Sequence, residues 1–171
     1  MAKALFITTK DIKRYSVLSG SVDPDRFIYM VEIAQDTEIQ NYLGTKLLEK
    51  LQDLILAGTV DQPANSAYKT LLETYVKPMT IYWALVCYMP FAAYTVGAKG
   101  VFKGQSENAL TVDKEEVDYL VEKYRDIAQF YTNNFIDFMI YNQNTYPEYN
   151  ANTKDDTFPD TANSDFGGWV L

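Results

Sequence analysis

Residues 45–58, TKLLEKLQDLILAG, carry the clearest pattern in the chain and decide its fold class. Gly44 just before this stretch is a natural chain break, and Gly58 is a natural stop at its carboxyl end. The apolar residues recur every three or four positions, which places them on one face of a helix. They are Leu47, Leu48, Leu51, Leu54 and Ile55. We therefore expect an amphipathic helix that packs its leucines against other helices.

Start signals elsewhere predict more helices of the same kind. Asp23-Pro24 places an N-cap residue before a proline at the first helical position, and Asp113 precedes an acidic first turn that suits the helix dipole. The expected helices are a short one from Thr8 to Tyr15, one from Pro24 to about Tyr42, one starting at Ser66, and a long last helix from Asp113 to about residue 141. The sequence therefore predicts an all-α protein.

We expect a helical bundle over residues 1–141, with a short glycine-bearing hairpin or loop arm and an extended C-terminal arm over residues 142–171. A length of 171 residues favours one domain, and 47% hydrophobic residues suffice for a buried core. The predicted core comprises Leu47, Leu51, Leu54, Leu72, Ile81, Leu85, Leu120, Ile127 and Phe135.

An uncharged run over residues 78–98, PMTIYWALVCYMPFAAYTVGA, has the length of a membrane span. Pro90 inside the run, three tyrosines and the lack of a basic cluster at either end argue against that interpretation. A helix that is apolar all round also suits the centre of a bundle. We expect a buried central helix and keep a membrane-associated protein as the alternative.

Composition restricts the chemistry that this chain can perform. It contains no histidine, which removes histidine-dependent triads and histidine-ligated metal sites, and its one cysteine, Cys87, lies in the apolar run. No carboxylate set has ligand spacing, so we expect no catalytic residue, no metal and no cofactor. A second alternative is a ligand-binding bundle with a pocket around Tyr82, Trp83 and Tyr88.

The net charge of −8 disfavours a protein that grips nucleic acid, because an acidic surface repels phosphate. It is compatible with a surface past which DNA slides. A DNA-binding role is therefore the least favoured alternative, although KDIKR near the N-terminus is locally basic. The N-terminal apolar stretch is too short for a signal peptide, so we expect synthesis in the cytoplasm of the producing cell.

Two segments carry candidate interaction residues. Glycines frame AKGVFKG, which predicts a hairpin or loop arm comprising Lys99, Gly100, Val101, Phe102 and Lys103. The tail spaces large aromatic residues with polar residues and prolines, a pattern typical of an extended arm whose rings fill pockets on a partner. Its expected interface residues are Tyr146, Pro147, Tyr149, Phe158, Phe166, Trp169, Val170 and Leu171.

The order of these features resembles the helical head–tail connector, or adaptor, proteins of tailed bacteriophages. The resemblance rests on IAQDTEIQNYLGTKLLEKLQDLI, LLETYVKPMTIYWALVCYMPFAAY, KGVFKG and the long last helix followed by YPEY, and it covers roughly residues 5–150. The aromatic tail and the closing GGWVL fall outside the general family and are similar, more weakly, to ring proteins of crAss-like phages.

The resemblance implies a non-enzymatic virion protein at the portal vertex. Copies would form a homo-oligomeric ring, twelve-fold like the portal, that contacts the portal protein on one side and a downstream tail or ring protein on the other. Double-stranded DNA would pass through the ring without specific binding, and no membrane would be involved.

Overall fold

The computed structural model describes residues 3–15, 24–92, 94–97, 100–103 and 113–162. Within these ranges the helices are α1 (Thr9–Tyr15), α2 (Pro24–Ala34), α3 (Gln40–Leu56), α4 (Ser66–Leu71), α5 (Lys77–Tyr88) and α6 (Lys114–Asn142). Two short strands, β1 (Tyr94–Gly97) and β2 (Gly100–Lys103), pair antiparallel as a hairpin. The predicted all-α bundle is confirmed, and so is its short glycine-bearing hairpin.

Two π-helical turns join the helices into longer rods. Residues Gln35–Ile39 connect α2 to α3, and Leu72–Val76 connect α4 to α5. The extra residue in a π-helical turn rotates the side chains that follow it. The first turn contains Gln35, which is buried although its side chain is polar.

Gln35 fixes the N-terminal segment to the bundle. Its side-chain oxygen accepts a hydrogen bond from the Phe6 N–H at 2.7 Å, and its Nε2 donates to the Ala4 carbonyl at 3.1 Å. Gln52 on α3 donates to the same carbonyl at 3.4 Å. These bonds give hydrogen-bond partners to backbone groups of a segment that has no helix or strand of its own. They also hold Phe6 in the core.

Helix α3 contains the predicted chain break. Gly44 has φ 74° and ψ 163°, so the helix stops there and restarts at Thr45. From Thr45 to Leu56 the leucine stripe faces inward as expected, and the helix ends before Gly58, whose φ is 66°.

Helix α5 is the centre of the bundle, packed between α2 and α6. Among its buried side chains are Met79, Ile81, Trp83 and Leu85. The expectation of one helix throughout residues 78–98 is wrong, because α5 ends at Tyr88 and a 3-10 turn over Met89–Phe91 leads to β1. Pro90 explains the ending, since proline has no N–H to continue the helix. Among the residues described, none of the helices combines the length and hydropathy that a membrane crossing requires.

Most of the predicted core residues are buried. Leu47, Leu51, Leu54, Leu72, Ile81, Leu85 and Phe135 all lie inside the bundle. Leu120 and Ile127 do not: their side chains are 41% and 38% exposed. The physical reason is that residues 114–127, the first half of α6, turn other side chains towards the core: Val121 and Tyr124 pack partly against it, and full burial begins at Ala128.

Helix α6 begins as predicted. Asp113 accepts a hydrogen bond from the Glu116 N–H at 3.0 Å, and the Glu116 carboxylate accepts one from the Asp113 N–H at 3.2 Å. This reciprocal capping box satisfies backbone donors at the start of the helix from within α6 itself. The first half of α6 can therefore remain helical although the described part of the bundle buries little of it.

Candidate interaction surface

The first tail aromatics lie in the core of their own chain. Tyr146 is buried, and its hydroxyl donates to the Ala67 carbonyl at 3.1 Å. Tyr149 is also buried, with its ring centroid 6.3 Å from that of Phe135. Burial, with a smaller contribution from the charge of Asp160, raises the pKa of Tyr149 to about 12. The expectation that Tyr146 and Tyr149 anchor on a neighbouring protein is therefore wrong.

The residues that follow Tyr149 form hydrogen bonds with the start of the helix that resumes after Gly44. The Thr45 N–H donates to the Thr157 carbonyl at 3.0 Å, and the Thr45 hydroxyl accepts from the Thr157 N–H at 2.9 Å. The Lys46 N–H donates to the Asn152 side-chain oxygen at 3.0 Å. A helix that restarts at Thr45 needs acceptors for its first N–H groups, and the tail supplies two of them.

Farther along, the Asp160 N–H donates to the Asn41 carbonyl at 2.7 Å. Residues 142–162, expected to belong to a separate arm, thus pack on the bundle. From residue 151 to 162 their backbone has neither helix nor strand, and the bonds of Asn152, Thr157 and Asp160 hold it against α3 of the same chain.

The remaining predicted contact residues have different outcomes. Pro147 is exposed, and Phe158 is an exposed aromatic side chain on the bundle surface. Gly100, Val101, Phe102 and Lys103 form β2, paired with β1. Lys99, Phe166, Trp169, Val170 and Leu171 lie outside the described residues.

A surface that the sequence did not predict lies on α6. Tyr119 and Phe130 are 62% and 56% exposed, and they share with Leu120 and Ile127 an arc of roughly 100° around the helix. We call these four residues the α6 face. Four large exposed apolar side chains on one helix face are typical of an interaction site rather than of scattered surface residues. The signal that could have revealed it is the breadth of the apolar stripe, which is wider than one packed neighbour can cover.

A groove lined by aromatic rings continues from the α6 face. Tyr82 and Tyr131 stack with ring centroids 5.3 Å apart, and Tyr75 and Phe138 stack at 4.3 Å. Together with the exposed Tyr141 we call these residues the tyrosine groove. Tyr131 lines both of its parts, a recess of 240 Å³ beside Tyr82 and a more open one of 560 Å³ beside Tyr75 and Tyr141.

The tyrosine groove joins the α6 face through adjacent rings. Phe130, the last residue of the α6 face, makes an edge contact with Tyr131 at 5.4 Å between centroids. Burial raises the pKa of Tyr82, with nearby tyrosines contributing less, so its phenol is neutral at physiological pH. The groove thus offers aromatic ring surfaces for apolar and aromatic side chains. Its two recesses are also lined by charged residues, namely Asp11, Glu73, Lys77 and Asp137.

The pocket expected around Tyr82, Trp83 and Tyr88 is not formed by all three residues. Tyr82 does line a recess, but Trp83 is buried and its indole N–H donates to the Thr132 hydroxyl at 3.0 Å. Tyr88 is buried against Phe27, with centroids 5.3 Å apart. Trp83 and Tyr88 therefore belong to the buried core, and of the three residues only Tyr82 lines a recess.

The described residues contain little reactive chemistry. No group of three or more Asp, Glu or Cys side chains among them could hold a metal ion. Cys87 is half-buried, and burial, with a contribution from Glu38, raises the pKa of its thiol, which keeps it in the weakly nucleophilic protonated form.

Comparisons with known proteins give a family but no activity. Neither the curated proteins nor the solved structures compared with the chain include a match. The model of a family of unknown function matches residues 39–159, a stretch that begins just before the break in α3 and includes the tail segment that fastens to it. With well over half of its length matched, the chain belongs to this family, DUF6712.

Proposed function

We propose that this chain is a non-enzymatic structural subunit of a tailed bacteriophage virion, and that its copies form a ring between the portal and the tail. The observation that carries the proposal is the α6 face. A helix that caps itself and leaves four large apolar side chains exposed is suited to complete its packing against another subunit.

The energetics favour association over exposure. Fully burying one large apolar side chain contributes roughly 1.5–3 kcal/mol. Tyr119, Leu120, Ile127 and Phe130 lie on backbone that is already helical, so covering them orders little beyond their own side chains. The bound neighbour is, in this proposal, a second copy in the ring.

The ring itself rests on the resemblance to head–tail connector proteins. A contact between two different surfaces of identical subunits generates a closed ring when its rotation closes. Twelve copies would match the symmetry of the portal. One side of the ring would contact the portal protein and the other a downstream tail or ring protein.

The charge of the chain suits a DNA channel. With 23 acidic and 15 basic residues, the subunit repels a polyanion on average. Double-stranded DNA would therefore pass through the ring without being held. A chain without histidine, and without a metal-ligating cluster among its described residues, suits a structural role.

The test is to charge the α6 face and measure assembly. In the variant Leu120→Lys/Ile127→Lys two apolar side chains of the face become cations. The matched control is Tyr29→Lys/Leu56→Lys, which changes two residues that are at least as exposed but lie on α2 and α3. Sedimentation velocity measures the size of the assembly, and circular dichroism checks the helical fold.

We expect the α6 variant to dissociate into folded monomers while the control assembles like the native chain. Equal assembly of the two variants, with both folded, would show that the α6 face is not the subunit interface. Equal loss of assembly would contradict the proposal as well, because the effect would not be specific to the face.

A further inference from the structure

Helix α6 carries a coiled-coil seam along its exposed side. Side chains that recur at alternating steps of three and four residues line one edge of a helix and can meet a second helix along its whole length. Such a set runs through α6 from residue 120 to residue 141, and we call it the α6 seam. Its apolar and aromatic members are Leu120, Ile127, Phe130 and Tyr141, and its polar members are Lys123, Asn134 and Asp137.

The described part of the bundle leaves most of the α6 seam exposed. Asn134 is half-buried, and the other members are exposed. The seam is about 32 Å long at 1.5 Å per residue, so a helix that covers it must be long and must have a free face of its own. Helix α6, with 29 residues, is the longest helix among those the structure describes, and its seam side is its exposed side. A second copy of α6 therefore meets both requirements.

The charges on the seam determine the direction of such a pairing. Lys123 lies seven residues before Phe130, and Asp137 lies seven residues after it. In an antiparallel pair centred near Phe130, Lys123 of each copy lies opposite Asp137 of the other, so opposite charges meet twice. A parallel pair would place like charges together at both levels, which is unfavourable. Charge complementarity therefore favours the antiparallel arrangement.

The aromatic side chains have the same symmetry as the charges. Tyr119 and Tyr141 lie eleven residues before and after Phe130, so they meet at both ends of an antiparallel pair. At its centre, Ile127 and Phe130 of one copy pack against the same residues of the other. Asn134 adds a polar group beside them, and polar residues in a coiled-coil seam fix its register and orientation.

The other charged side chains next to the seam are compatible with this pairing. Asp126 lies 3.8 Å from Lys123 of the same helix, and its level faces Asn134 of the other copy. Glu116 lies before the paired stretch, where its carboxylate takes part in the capping box of α6. No like charges are therefore brought together along the paired stretch at the levels of Lys123, Asp126 and Asp137.

We infer that α6 of the free subunit pairs antiparallel with α6 of a second copy, centred near Phe130. The inference rests on the proposed function in taking the α6 face as a surface that meets another copy. A contact between the same patch on both copies closes at two chains and does not by itself build a ring. The pair is thus the form of the chain at concentrations below those at which rings close. It keeps the α6 face covered and must open before that face binds within a ring.

A charge swap tests both the pairing and its direction. Sedimentation velocity at concentrations too low for rings measures the monomer–dimer equilibrium of full-length Lys123→Asp, of Asp137→Lys and of the double variant that carries both changes. The matched control is Lys69→Asp, which makes the same change of charge at an exposed lysine on α4. Circular dichroism verifies the helical fold of every variant.

We expect each single reversal on α6 to raise the dissociation constant of the dimer at least about tenfold, because like charges then meet twice in each dimer. The double variant should return to within about threefold of the native value, because opposite charges meet again. The Lys69→Asp control should dimerise like the native chain. A native chain without a dimer, single reversals that leave the dimer unchanged, or a double variant that does not recover would each overturn the inference.

Disulfide trapping gives a second measurement that does not depend on the reversed charges. Lys123→Cys and Asp137→Cys, each in a Cys87→Ala background, should form a linked dimer when they are mixed and much less of it when each is oxidised alone. Linked dimer from each variant alone, with no gain on mixing, would show a parallel pair and overturn the inference.

The size of the assembly separates this inference from the proposed ring. Dimers at low concentration, with no closed ring at any accessible concentration, would support the pairing and contradict the ring. Closed rings that dissociate directly into monomers on dilution would support the ring and overturn the pairing.

Discussion

The substitution Gly44→Ala, which adds one methyl group, should displace the C-terminal segment that packs on the bundle. The Gly44 φ of 74° and ψ of 163° lie in a region that essentially only glycine adopts. A Cβ at this position would lie 2.7 Å from the Asn152 amide nitrogen and 2.9 Å from two ring carbons of Pro159. The proline ring cannot rotate away, so Gly44→Ala must displace the tail.

The expected cost has two parts. Backbone strain at such a conformation contributes about 1–3 kcal/mol. The displaced tail would also weaken the bonds of Thr157 and Asn152 to the start of the helix, at about 0.5–1.5 kcal/mol each. We expect Gly44→Ala to lower the free energy of unfolding by about 2–6 kcal/mol in total.

Gly58→Ala is the matched control. Gly58 has a similar φ of 66°, but nothing lies within 4 Å of its hypothetical Cβ. Gly58→Ala should therefore lower the free energy of unfolding only by the cost of the left-handed backbone, about 1–2 kcal/mol. Thermal and urea unfolding compare the two variants, and trypsin cleavage after the exposed Lys154 reports on release of the tail.

We expect a lower Tm and faster cleavage after Lys154 for Gly44→Ala than for Gly58→Ala. Equal destabilisation of the two variants, with unchanged cleavage at Lys154, would refute the reasoning. The tail contacts seen at Gly44 would then contribute nothing to the stability of the bundle.

Three further substitutions test the fold. Leu51→Ala removes a fully buried side chain and should cost about 2–5 kcal/mol in chemical unfolding, whereas Leu120→Ala on the exposed face should cost the monomer well under half of that; equal costs would contradict the assignment of the core. Gln35→Ala leaves the Phe6 N–H without its acceptor and removes one of the two hydrogen bonds to the Ala4 carbonyl, so it should cost about 1–3 kcal/mol, and an unchanged urea midpoint would argue against that role. Burial raises the pKa of Glu38 despite the opposing charge of Arg125, so its stabilising contribution is complete below its unfolded pKa of about 4.3 and is lost as the pH rises through the folded value. Glu38→Gln should therefore be more stable than the native chain at pH 7 and equally stable near pH 3.5, and the opposite order of Tm values would contradict this sign.

The regular parts of the fold follow from local sequence. Gly44 and Asp113 mark helix boundaries through backbone chemistry that involves few neighbours, and both act as expected. The leucine stripe of α3 likewise faces the core. Gln35 could not be foreseen in the same way, because its burial depends on a π-helical turn and on an N-terminal segment 29 residues away.

The candidate surface was harder to predict because periodicity does not reveal what covers an apolar face. Leu120 and Ile127 belong to the same stripe as Phe135, yet only Phe135 is buried. The tail shows the converse problem. Its spacing indicated extended backbone, but its partner is the restarted helix at Thr45, 112 residues away from Thr157 in sequence. The sequence did contain one signal: a helix that restarts after Gly44 leaves its first N–H groups without acceptors, and another segment must supply them.

The central claim is that copies of this chain close into a ring, and native mass spectrometry of the purified full-length protein tests it most directly. The account predicts one dominant closed species of about twelve 19.6 kDa chains that the Leu120→Lys/Ile127→Lys variant does not form. A chain that remains monomeric over the whole accessible concentration range, or that forms a broad ladder of open oligomers, would contradict it.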